Sequence, residues 1–178
     1  MKTGIFLSYK GLGANLLHLS YCHEIAKKFG PVHIITLSPK IRDVLKYDPS
    51  IQEVIYLNKF HKRFIDIFRL SKLLKKLKLD NIFIFYPSLR LFLSCKLAGI
   101  NKIYTYPLFK KKRLHLVNAA KEFTKKSLNI NDCPTETKII YDKKRLEEFS
   151  KKKQKTIILG IGSSGPTTRW GYKNYSKL

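Results

Sequence analysis

Five short apolar runs divide the first 106 residues, and each is followed by a helical pattern. Residues 3–8, 32–37, 53–57, 81–86 and 102–106 are rich in Ile, Val, Phe and Tyr and too short to be helices, so they read as strands. The fourth, Asn81-Ile82-Phe83-Ile84-Phe85-Tyr86, has almost no polar position, which is the composition of a strand buried on both faces. Strand and helix alternating five times within about 130 residues predict an α/β fold. The expected architecture is one parallel sheet with helices on both faces and right-handed crossovers.

The helical segments carry their own punctuation. Leu16, Leu19, Ile25, Ala26 and Phe29 form a stripe over residues 15–29, with Asn15 as the expected N-cap and Gly30-Pro31 as the stop. Ser38-Pro39 opens a short helix through Lys46, with Ser38 capping and proline at the first helical position. Residues 60–78 bear the longest stripe, Phe60, Phe64, Ile67, Leu70, Leu74 and Leu77, and lysine and arginine fill most of the opposite face. Pro87-Ser88 leads into a helix ending at Ala98-Gly99. A basic loop, Lys110-Lys111-Lys112-Arg113, precedes a helix running to about Leu128.

At residue 131 the pattern changes. Residues 1–130 read as an N-terminal domain and 131–155, turn-rich and then charged, as a linker with one short helical or extended piece. Residues 156–178 read as the first strand, loop and helix start of a second, incomplete α/β domain, with Ile157–Ile161 outside the first sheet.

Charge is the compositional outlier: 36 Lys+Arg against 12 Asp+Glu give a net +24. Nucleic acid is the first partner such a balance calls to mind. Against it, the cations are 29 Lys to 7 Arg and are spread along the chain, and Ile and Asn are abundant, as an AT-rich genome would dictate. A solvated surface with some affinity for anionic polymers or membranes is expected, and no specific nucleic acid. No apolar run reaches the ~18 residues of a membrane span, and residues 1–8 are too short for a secretory signal. Cys22, Cys95 and Cys133 are far apart, odd in number and without metal-ligand spacing, which fits a reduced cytoplasmic compartment.

Two glycine-bearing turns carry chemistry. Gly11-Leu12-Gly13, after the first strand, suits a ligand approaching the backbone at a helix N-terminus; it equally suits a tight turn with no ligand. The third glycine and the acidic residue of a dinucleotide site are missing, so no nicotinamide or flavin is expected. Gly162-Ser163-Ser164-Gly165-Pro166-Thr167-Thr168-Arg169-Trp170 gathers backbone N–H groups, hydroxyls and a guanidinium at a strand end. That is the chemistry a pyrophosphate needs, and also that of a capped polar loop. His18 and His23 are five apart, off the spacing of a helical metal pair, and His33, His61 and His115 add no cluster. Tyr9, Tyr104 and Tyr106 sit at strand ends as candidate cleft or packing residues, while Asp43, Asp48, Asp66 and Asp80 read as surface or turn residues.

The order of these motifs resembles the ADP-heptose:lipopolysaccharide heptosyltransferases, the family 9 glycosyltransferases. The resemblance runs through Gly13-Ala14-Asn15-Leu16-Leu17-His18-Leu19-Ser20, Pro49-Ser50-Ile51-Gln52-Glu53-Val54-Ile55, Leu97-Ala98-Gly99-Ile100 and the Gly162–Trp170 loop. It implies a GT-B fold, with acceptor on the first domain and nucleotide-sugar on the second, and an inverting transfer without metal or cofactor. The acceptor would be a lipopolysaccharide-type glycan reached from the cytoplasm, peripherally on the inner membrane face. By the same resemblance Gly11, Gly13 and Asn15 form the acceptor-side turn. Ser164, Thr167, Thr168 and Arg169 contact the donor phosphates, and Arg169 relieves charge on the leaving diphosphate.

Two departures accompany it. The family's general base follows the turn glycine directly, and here that position is Ala14, with Asn15 next; neither side chain takes a proton at neutral pH. The donor-side pattern also stops after one strand and loop, so the isolated chain is expected to be inactive. A glycosyltransferase half and a non-catalytic basic α/β module are the two readings this leaves.

Overall fold

A computed structural model of the chain describes residues 1–57, 65–106 and 115–150. Five strands form one all-parallel sheet: β1 (Thr3–Leu7), β2 (Val32–Thr36), β3 (Ile51–Tyr56), β4 (Asn81–Ile84) and β5 (Lys102–Thr105). Their spatial order is β3-β2-β1-β4-β5. Every residue of β1, β2 and β4 is buried, whereas the edge strands β3 and β5 keep exposed positions such as Glu53 and Lys102. That gradient is what the sequence runs imply: continuous apolar character in the middle and alternation at the edges.

Seven helices lie among the described residues: α1 (Leu12–Leu16), α2 (Leu19–Phe29), α3 (Ile41–Val44), α4 (Ile65–Leu77), α5 (Leu89–Leu97), α6 (Leu116–Leu128) and α7 (Lys143–Ser150). Helices of the first unit cover the sheet on both faces. Leu19, Tyr21, Cys22 and Ile25 of α2, Ile41 of α3, and Ala120, Phe123 and Leu128 of α6 pack with Ile5, Leu7, Ile34, Phe83 and Phe85. On the other face Leu70 and Leu74 of α4 and Leu91 and Cys95 of α5 pack with Phe6, Ile35, Ile82 and Ile84. Each fully buried Leu, Ile or Phe among them stabilises the fold by roughly 1.5–3 kcal/mol.

The stops behave as their residue types require. Gly30 closes α2 at φ +82°, a left-handed conformation that costs glycine nothing, and its N–H donates to the Ala26 carbonyl at 2.8 Å. Ser88 caps α5, its hydroxyl oxygen accepting from the Leu91 N–H at 3.3 Å. The N-terminus is locked to the start of β4. The Lys2 N–H donates to Asp80 Oδ2 at 2.6 Å, and the Lys2 carbonyl accepts from the Asp80 N–H at 2.8 Å.

Several local expectations are corrected. The first helix starts three residues before Asn15 and breaks at Leu17-His18, so Asn15 is an interior residue and not an N-cap. Ser38 does not cap α3, whose N-cap is Lys40 with no side-chain bond; instead the Ser38 N–H donates to Thr36 Oγ1 at 3.0 Å. Asp48 is in a turn but buried: one oxygen accepts from the Ser50 N–H at 3.0 Å, and the other lies 2.7 Å from His23 Nε2. Residues 60–64 of the longest stripe, the 110–113 loop and the strand expected at 157–161 lie outside the described residues.

The chain divides into two compact units, Met1–Tyr141 and Asp142–Leu178. In the second, Asp142 starts α7, its Oδ1 accepting from the Lys144 N–H at 3.1 Å.

Candidate functional site

A chain that fills its sheet outward from β1 to β3 and then returns to place β4 on the other side of β1 creates a topological switch point. In open α/β sheets ligands enter the crevice at the carboxyl ends of the strands there. In this protein the crevice lies between the ends of β1 and β4, so its walls are residues 8–18, Phe85 and Tyr86, with Thr36 and Tyr106 at the flanking strand ends.

Asn15 organises the β1–α1 turn. It is fully buried, and its amide Nδ2 donates to the Tyr9 carbonyl at 2.9 Å and the Gly11 carbonyl at 2.7 Å. Its Oδ1 accepts from Thr36 Oγ1 at 2.9 Å, and Thr36 Oγ1 in turn accepts from the Ser38 N–H. Two carbonyls on one side and a hydroxyl donor on the other leave one orientation for the amide. Every donor and acceptor of Asn15 is thereby engaged, and the turn is tied to the end of β2.

What the clamp holds in place is bare backbone. Gly11 and Gly13 are exposed, neither has a positive φ, and a Cβ at either would meet nothing within 4 Å. Neither conformation nor packing within the described residues calls for glycine there. Open space above the backbone is the property left. The helix that follows, α1, is only five residues, too short to supply the field expected of a helix N-terminus.

Behind the turn is an aromatic wall. His18 stacks on Tyr9 with centroids 4.9 Å apart and meets Phe85 and Tyr21 edge-on at 5.1 and 6.2 Å. Tyr106 meets Phe85 and Phe123 edge-on. His18 is completely buried, its Nδ1 donating to the Ala14 carbonyl at 2.6 Å. Burial lowers its pKa, the bond to Ala14 opposing in part, so the ring is neutral with its lone pair on Nε2. That Nε2, the Tyr106 hydroxyl and Ser8 Oγ have no hydrogen-bond partner among the described residues. Burial, with the Tyr86 hydroxyl nearby, pushes Tyr9 up to about 12, and burial raises Tyr106 further. The tyrosines are therefore neutral hydroxyls, and Tyr9 spends its hydrogen on the Phe85 carbonyl at 3.1 Å.

The turn thus brings Gly11, Gly13, Ala14 and Asn15 together at the switch point. Ala14 is half-buried and chemically inert, and residues 8–17 contain no carboxylate. Ser164, Thr167, Thr168 and Arg169 lie outside the described residues. Sequence reasoning missed Thr36 and His18. Thr36 had no local signal, and His18 was weighed only as a metal ligand. Among the described residues no three His, Cys, Asp or Glu side chains converge as a metal site. A separate depression of about 440 Å³, lined by Lys2, His33, Gln52 and Glu53, opens at the amino end of the strands, away from the crevice.

The strand order and the crevice define a Rossmann-like α/β domain. Over 99% of its length the chain is similar to the glycosyl transferase family 9 protein from Veillonella parvula DSM 2008, with a TM-score of 0.62 and 18% identity. It is similar over 99% of its length to the ADP-heptose lps heptosyltransferase II of E. coli, with a TM-score of 0.64 and 14% identity. The chain spans 58% and 60% of those two proteins. At such identity the likeness establishes the fold. No protein-family profile and no curated protein matches the chain.

Proposed function

We propose that this chain is the acceptor-side part of a family 9-type glycosyltransferase. The reading gives it a nucleotide diphosphate-sugar donor and a lipopolysaccharide-type glycan acceptor, met on the cytoplasmic face of the membrane. The observation that carries it is the shared fold over 99% of the chain, together with bare, clamped backbone at the switch point. In this reading residues 1–130 receive the acceptor against Gly11, Gly13 and the turn held by Asn15, 131–155 link, and 156–178 begin the donor side. An acceptor hydroxyl attacks the anomeric carbon from the face opposite the phosphate. The new C–O bond forms as the bond to the diphosphate breaks, inverting the centre, and the hydroxyl proton leaves to a base. Ser164, Thr167, Thr168 and Arg169 would hold the phosphates, Arg169 stabilising the charge that develops on the departing oxygen.

The base is the missing part. Ala14 has no proton acceptor and Asn15 has both amide atoms engaged, which favours a second reading, a basic α/β module without catalysis. The protein expressed with its whole reading frame separates the two. Titration with a panel of nucleotide diphosphate-sugars, followed by mass spectrometry of a lipopolysaccharide-core acceptor, should show donor binding and a mass gain of one sugar. Failure to bind any donor supports the non-catalytic module. Residues 1–178 alone should show no transfer above a no-enzyme control.

A further inference from the structure

Helices α4 and α5 share one side of the sheet, and their outer faces mix apolar side chains with charged ones. After Leu70, Leu74, Leu91 and Cys95 are spent inward, Leu89, Leu93 and Leu97 remain 54%, 39% and 55% exposed, four residues apart along one side of α5. Ile65 and Phe68 on α4 are 57% and 66% exposed. Helices α2, α3 and α6 on the opposite side leave no large apolar side chain exposed among the described residues. Elsewhere in Met1–Tyr141 the exposed large apolar side chains, such as Leu17, Tyr47 and Ile139, stand outside the helices, mostly in turns and connecting segments, so this is the side where they line helices.

The same face carries cations. Lys72, Lys75 and Lys76 on α4 are exposed and pair with no carboxylate among the described residues. On α5, Lys96 lies over the Phe92 ring at 5.9 Å. Leucines on one helix with lysines beside them make the surface an interfacial helix pair would present to a bilayer: apolar side chains enter the acyl boundary while ammonium groups meet phosphates. A second copy fits less well, because apposing two such faces in a chain of net charge +24 sets lysines against lysines.

We propose that the outer face of α4 and α5 docks the protein on an anionic lipid surface. No helix among the described residues is long and apolar enough to cross a membrane, so the attachment is interfacial. The inference deepens the membrane contact in the function proposed above. Its assay measures no sugar transfer, so each can fail without the other.

The test is sedimentation of the full chain with vesicles of phosphatidylcholine alone or mixed with phosphatidylglycerol, at low and high salt. The chain should bind only the mixed vesicles, and salt should weaken it. Neutralising Lys72, Lys75 and Lys76 to Gln should lower the partition coefficient by ~5-fold per lysine, roughly 100-fold together. The matched control, Lys40→Gln, Lys46→Gln and Lys126→Gln on the opposite side, should lower it less than ~10-fold. Leu93→Ser with Leu97→Ser, both at exposed positions, should weaken binding while circular dichroism stays that of the parent. Equal losses in the two lysine triples would overturn the docking face in favour of diffuse charge. Unchanged binding in the leucine pair would overturn insertion. Concentration-dependent dimers abolished by the leucine pair, without vesicle binding, would assign the face to a second copy.

Discussion

Replacing Asn15 by aspartate tests the turn clamp, because it exchanges one heavy atom, nitrogen for oxygen, with almost no change in volume. The amide nitrogen donates to the Tyr9 and Gly11 carbonyls at 2.9 and 2.7 Å, so Asn15→Asp sets a carboxyl oxygen against two acceptors in a fully buried site. A neutral carboxyl keeps one donor and leaves one carbonyl unpaired, at about 1–3 kcal/mol. Holding that carboxyl neutral at pH 7, against an ordinary pKa of about 3.9, costs up to roughly 4 kcal/mol. Ionisation instead places an unpaired charge beside two carbonyl dipoles, so it offers little relief. The variant should lose about 4 kcal/mol or more at pH 7, a large share of a typical domain's stability. The pH sign follows from the raised folded pKa. Above about pH 4 the unfolded carboxyl has released a proton that the native one retains, so stability falls as pH rises, by up to ~1.4 kcal/mol per unit. Urea unfolding at pH 7 and pH 5, followed by circular dichroism, should show the deficit relative to the parent shrinking by about 2–3 kcal/mol at the lower pH. Asn15→Ala should be destabilised without that recovery. An aspartate variant within about 1 kcal/mol of the parent at both pH values would refute the clamp.

Burial depresses the His18 pKa, so the unfolded chain takes up a proton below about 6.5 that the native ring refuses, and stability should fall with acid across that window. His18→Phe should show a shallower decline between pH 6.5 and 5 in the same unfolding assay; an unaltered slope would mean His18 titrates as it does unfolded. Burial pushes Cys95 up to about 12 and Cys133 to about 11, and raises Cys22 more, so all three thiols should resist Ellman's reagent until urea unfolds the chain. Rapid labelling of any one in buffer contradicts its buried place. In the protein with its whole reading frame, Ala14→Asp should raise sugar transfer by about 10²-fold or more if this position retains the family's geometry. Arg169→Ala should weaken donor binding there, and a silent result at both positions would count against the glycosyltransferase reading.

The strands were legible because burial on two faces leaves a plain mark: β2 and β4 are runs of large apolar residues with a polar residue only at an end or in one interior position. Their spatial order was not legible, since the same βα units placed in another order would read alike. Asn15 was misread for a definite reason. An asparagine ahead of an apolar stripe has the composition of an N-cap, and only Thr36, 21 residues away, shows that its side chain closes a turn. Asp48 reads as a surface or turn residue; the turn is there, but nothing in its neighbourhood announces His23, against which it is buried. In both cases the unread partner is distant in sequence. The bare glycine turn was legible, being local, while the aromatic wall behind it draws on β4, β5 and α6 together.

The place of β1 in the middle of the sheet has a consequence for how the chain is born. Its first partner, β2, is complete by Thr36, but its other edge pairs with β4 through Thr3↔Asn81 to Phe6↔Ile84, 78 residues downstream. At ~5–20 residues per second of translation that edge waits roughly 4–16 s after its own synthesis. Meanwhile Ile5 and Phe6 have neither β4 beside them nor the α4 and α5 layer above Phe6. The nascent N-terminal half is thus a half-sheet with an open, apolar edge. It is a species that holdase chaperones bind, and one that a ribosome pausing before residue 81 would keep exposed.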